Sequence, residues 1–67
     1  MPKDYICYFE AIKSYLKDGD IRGAQGKWNF VYGAYESYIG TYGEDEYSRK
    51  LKAEIDIYKE MIDNHRG

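Results

Sequence analysis

Residues Tyr15–Tyr38, YLKDGDIRGAQGKWNFVYGAYESY, decide the fold. The stretch reads as the end of one helix, an Asp-Gly-Asp turn and a second helix. Ile21, Ala24, Trp28, Val31, Tyr35 and Tyr38 step by three and four, and only a helix sets side chains at that spacing on one face. Gly19 is placed to take the left-handed conformation that ends a helix. Asp20 is placed as the N-cap of the next, its carboxylate accepting from free backbone N–H groups. A break this short folds the two helices back on each other as an antiparallel hairpin.

Outward from the hairpin, the spacing predicts a first helix over about residues 3–18, a second over about 21–39 and a third over about 44–64. Pro2 suits a first helical turn, where its missing N–H costs nothing. Tyr5, Phe9, Ile12 and Leu16 form the apolar stripe of the first helix, flanked by Tyr8 and Tyr15. Tyr47, Leu51, Ile55, Tyr58 and Ile62 form that of the third, widened by Ile57 and Met61. The second break is Gly40-Thr41-Tyr42-Gly43. Thr41 and Glu44 have the spacing of a capping box, while Gly43 offers an alternative stop for the second helix. Glu46/Lys50, Lys52/Asp56 and Lys59/Asp63 are spaced for ion pairs along the third helix. The expected fold is all-α: a three-helix bundle with an N-terminal antiparallel helical hairpin, as a single domain over residues 1–67.

The second helix is unusual in its glycines. Gly23, Gly26 and Gly33 lie inside it, each costing up to about 1 kcal/mol relative to alanine. Gly26, Phe30, Gly33, Ser37 and Gly40 share a strip opposite the Trp28/Val31/Tyr35 seam. Small residues in register let a backbone or ring come close. Either a helix of the bundle packs there, or another subunit or target does.

Composition bounds the function classes. A chain of 67 residues supports one small core, because ordering it costs on the order of 1.5 kcal/mol per residue and apolar burial barely exceeds that. The single Cys7 excludes an internal disulfide, and one histidine, His65, leaves no Cys/His zinc set. Nine tyrosines give a core that reaches its own surface, or a binding face, since tyrosine suits both. The net charge of −2 argues against general affinity for nucleic acid or anionic membrane. Residues 1–35 carry five Lys/Arg against four Asp/Glu, and residues 36–67 five against eight, so the acidic half is the C-terminal one. No apolar run approaches the roughly 20 residues that span a bilayer, and no export signal is visible; with a lone cysteine this fits a reducing cytoplasm.

Tyr15, Gly19, Asp20, Ala24 and Trp28 have the spacing of a tetratricopeptide-type hairpin, and the stretch of about 25 residues around them resembles that family. In that motif a Tyr ends the first helix, Gly-Asp makes the turn, and a small residue then an aromatic pack the second helix. The chain departs from it at Ala11-Ile12, where a Leu-Gly pair is usual, and in lacking a proline after the second helix. With a third helix over residues 44–64, the chain also resembles the microtubule-interacting-and-transport domain, an adaptor that takes helical peptides in a groove. Both resemblances imply a module of a class that binds proteins and seldom catalyses.

No residue set points to catalysis, and no cofactor is expected. Cys7 stands among Tyr5, Ile6, Tyr8 and Phe9, as a buried small hydrophobe would, with only Lys3 nearby to activate it. His65 suits the electrostatics of a helix end. Glu44-Asp45-Glu46 diverge by about 100° per residue and do not chelate together. The glycines lack the Gly-Lys-Ser/Thr ending of a phosphate loop. Arg22, Gln25, Lys27 and Asn29 follow a short turn, as in a helix-turn-helix nucleic-acid binder, but Lys27 falls about 140–160° away from Arg22 and Asn29.

The leading expectation is a small cytosolic adaptor or inhibitor that binds a partner protein through Phe30, Tyr32, Gly33, Tyr42 and Tyr47. Trp28, Val31 and Tyr35 are assigned to the core. The second expectation is a homodimer formed through Gly26, Phe30, Gly33, Ser37 and Gly40. The third is the helix-turn-helix. By analogy, a short chain opening on Met1 suggests a phage-type accessory protein that acts by occupying another protein.

Overall fold

Three helices account for the computed structural model, which describes residues 5–66: α1 (Ile6–Lys17), α2 (Ile21–Tyr42) and α3 (Glu46–Arg66). The fold is all-α, with no strand among the described residues. The expected role of Pro2 lies outside those residues. Tyr5 stands at the N-cap of α1 without a side-chain cap hydrogen bond, and the expected start at residue 3 also lies outside the described residues.

The hairpin turn forms as its residues dictate. Gly19 has φ 78°. The Gly19 N–H donates to the Leu16 carbonyl at 3.1 Å and the Asp20 N–H to the Tyr15 carbonyl at 2.7 Å. These two bonds close α1 as a Schellman motif, which satisfies carbonyls that the helix leaves free. The Asp20 carboxylate accepts from the Gly23 N–H at 2.9 Å and caps α2. Gly23 has its own reason to be glycine: a Cβ there would stand 2.7 Å from Asp20 Oδ2 and 2.9 Å from Tyr15 Cδ1.

The second break departs from the Thr41–Glu44 expectation. α2 runs on through Tyr42, and Gly43, at φ 78°, donates its N–H to the Ile39 carbonyl at 2.9 Å. Thr41 is therefore inside α2 and caps nothing. The cap of α3 is Asp45 paired with Ser48. The Ser48 N–H donates to Asp45 Oδ1 and the Asp45 N–H donates to Ser48 Oγ, both at 2.8 Å. This reciprocal box moves the start of α3 from 44 to 46.

α2 is the central element, lying against both α1 and α3. The core is Phe9, Ile12 and Leu16 from α1, Ala24, Val31 and Tyr35 from α2, and Leu51, Ile55, Tyr58 and Ile62 from α3. Phe9 stacks on Tyr58 at 4.7 Å between ring centroids, joining α1 to α3. Burial of each large apolar side chain contributes about 1.5–3 kcal/mol. Among the described residues no buried side-chain N or O lacks a hydrogen-bond partner. The three expected pairs along α3 all form, at 2.7–3.4 Å, on solvated flanks where such pairs contribute little.

Four side chains sit elsewhere than expected. Trp28 is half-buried at the α2–α3 margin, where its Nε1–H donates to the Ile55 carbonyl at 2.8 Å. Ile57 does not widen the α3 stripe: it is 52% exposed, since two residues from Ile55 is more than half a turn away. Cys7 is exposed, on the flank of α1 away from Phe9. Tyr38 is half-buried at the end of the seam and reaches Asp45.

Candidate functional site

The side of α2 turned away from the core is left uncovered. A Cβ built at Gly26, Gly33 or Gly40 meets nothing within 4 Å, and Ser37 between them is exposed. Internal packing therefore does not account for the glycines of this strip, and α1 meets it only at its edge, where Tyr8 reaches Phe30. Phe30 lies along its edge, 56% exposed, although a phenylalanine is usually buried.

Beside this strip a groove of about 480 Å³ opens between α1 and the first half of α2. Tyr8 and Tyr15 line it from α1. Arg22, Gly23, Gly26, Lys27 and Phe30 line it from α2. The turn sets this geometry. It returns α2 alongside α1, and Gly23 lets the α2 backbone come against the Tyr15 ring. Tyr8 stacks on Phe30 at 4.7 Å and 24°. Lys27 holds its ammonium 5.7 Å from the centre of the Tyr8 ring, a cation–π position. Gly26 and Phe30 belong to both the strip and the groove.

The five expected docking residues divide among three aromatic groups. Phe30 joins Tyr8 on the α1 side, and Gly33 is exposed close by on the strip. Tyr32 turns to the other margin of α2, stacked at 5.1 Å on Trp28, over which Lys59 places its ammonium at 5.2 Å. Tyr42 and Tyr47 gather around Tyr38 at the α2–α3 junction, each 5.0 Å from it, with Tyr42 73% exposed and Tyr47 half-buried. Phe30 and Gly33 thus share a surface that Tyr32 does not face.

The junction group is electrostatically defined. The Tyr38 hydroxyl donates to Asp45 Oδ2 at 2.6 Å. That bond, helped by desolvation and the Asp45 charge, pushes the phenol up to about 12. The same bond, with the Ser48 N–H, holds the Asp45 carboxyl below the ordinary aspartate range.

The helix-turn-helix residues do not share a face. The Gln25 amide donates to Asn29 Oδ1 at 2.8 Å and accepts from Arg66 of α3 at 2.9 Å, while Arg22 and Lys27 both line the α1 groove. Sequence reasoning did not assemble that groove. Its signal was present in Arg22, Gly26 and Phe30 at steps of four, beside Gly23 and Lys27 at the same step. Among the described residues, no cluster of three His, Cys, Asp or Glu side chains could hold a metal ion, and no helix is long and apolar enough to cross a membrane. No family model, curated protein or solved structure matches this chain.

Proposed function

We propose that this protein is a helical interaction module, an adaptor or inhibitor that works by docking a partner protein on the outward face of α2. One observation carries the reading: three helical glycines face open space beside a largely exposed phenylalanine. Each glycine lowers the stability of α2 by up to about 1 kcal/mol, and nothing within the described fold comes close enough to need it. A surface that lets another backbone approach, with an aromatic anchor at its edge, gives those glycines a use. The resemblance to peptide-binding hairpins supports the same class of activity.

The test separates stability from binding. Gly33→Ala fills open space in a helix and is expected to raise the melting temperature, by an amount matching up to about 1 kcal/mol. Gly33→Leu is expected to fold, because its side chain meets solvent. Tagged wild type and Gly33→Leu are used side by side to capture proteins from lysate of the source organism. A protein held by the wild type and lost by the folded leucine variant is the expected result. Equal capture by both would remove the α2 face from the mechanism.

A further inference from the structure

We propose that the groove between α1 and α2 receives an acidic peptide segment of the partner, seating an apolar side chain between aromatic rings and its carboxylates against Arg22 and Lys27. This rests on the reading of α2 as the docking element, and it names the chemistry that the element selects.

Charge is the first argument. Lys13, Lys50, Lys52 and Lys59 are each within 4 Å of a carboxylate on their own helix. Arg22 and Lys27 have no such partner among the described residues, and no residue lining the groove is acidic. The two unpaired cations of this half of α2 thus converge on one concavity, in a chain that is acidic overall. An anionic group entering there gains two cations without displacing an existing ion pair.

Shape is the second argument. The walls are the rings of Tyr8, Tyr15 and Phe30, and Gly23 and Gly26 present bare backbone between them. About 480 Å³ admits one or two side chains rather than a folded domain. An extended or helical segment meets this requirement and continues onto the glycine strip through Gly26. A nucleic-acid strand fits less well: two cations neutralise only about two phosphates, and the remaining acidic surface repels the strand.

The experiment titrates the isotope-labelled full chain with a capped Glu-Leu-Glu-Phe-Glu peptide at low salt, read by amide chemical shifts. A Lys-Leu-Lys-Phe-Lys peptide and a short poly-dT strand are the comparison probes. The expected result is saturable shifts at Gly23, Gly26 and Lys27 with the acidic peptide and none with the lysine peptide. Replacing Arg22→Gln and Lys27→Gln together is expected to weaken binding about fivefold to tenfold, as for two exposed charge pairs. Unchanged Leu51 and Ile55 amides will verify that the variant folds. Absence of groove shifts, equal binding of the lysine peptide, or tighter binding of poly-dT overturns the inference. The capture test on Gly33→Leu is read independently: loss of capture with a silent groove leaves the α2 face standing and removes only the acidic segment.

Discussion

At the scale of single residues, Asp45 joins the ends of two helices. One carboxylate oxygen accepts from the Tyr38 hydroxyl and the other from the Ser48 N–H, so α2 and the cap of α3 depend on one ionised group. The folded carboxyl is held below its ordinary value, first by Tyr38 and then by Ser48. Its contribution is therefore present above the unfolded aspartate value of about 3.9 and is lost as the pH falls through the folded value. Tyr38 has the opposite sign. Its phenol is raised to about 12, so its contribution is complete below the unfolded value and disappears as the pH climbs towards 12. Tyr38→Phe removes the largest cause of both shifts. Melting temperatures measured across the pH range are expected to fall at both extremes for the wild type and to fall less steeply at both for the phenylalanine variant. Parallel curves would show that the Tyr38–Asp45 bond does not couple folding to pH.

At the scale of elements, the seam of α2 was legible because its period leaves no alternative, and Gly19-Asp20 was legible because each residue has one favoured role at a helix junction. The second junction was not, for a definite reason. Thr41/Glu44 and Asp45/Ser48 both have a capping spacing, and nothing local ranks them. What decides is Gly43 at positive φ, which ends α2 after Tyr42 and leaves Thr41 inside it. Ile57 failed similarly: apolar type suggested the stripe, and helical phase places it in solvent. The groove was the least legible part, because Tyr8 and Tyr15 meet Arg22 and Lys27 only after the turn aligns two helices. The capping assignment has a direct check. Ser48 is fully buried and supplies half of the box, so Ser48→Ala is expected to destabilise the chain by about 1 kcal/mol. Thr41→Ala is expected to change stability by less than about 0.5 kcal/mol. Chemical denaturation of both variants decides between the two boxes, and the reverse order would restore Thr41 as the cap.

At the scale of the whole molecule, the uncovered face of α2 raises the question of a second copy. The molecule measures 36 × 21 × 16 Å, and the long dimension is close to the length of α2, about 33 Å for its 22 residues. From Gly26 to Gly40 the strip runs about 21 Å, and with a helix about 10 Å wide it offers on the order of 200 Å². A stable pairing of two proteins buries about 800 Å² on each. The strip alone therefore falls well short of a homodimer interface. A two-fold pairing through it would also bring two copies of a chain with net charge −2 together. A partner segment escapes the area limit, since it can cover the strip and continue into the groove against Arg22 and Lys27. The isolated chain is accordingly expected to sediment as a monomer at two widely separated concentrations, with Gly33→Leu indistinguishable from the wild type. A wild-type dimer that Gly33→Leu converts to monomer would reassign the same face to self-association, and the glycines would then serve a neighbouring copy of α2 in place of a foreign segment.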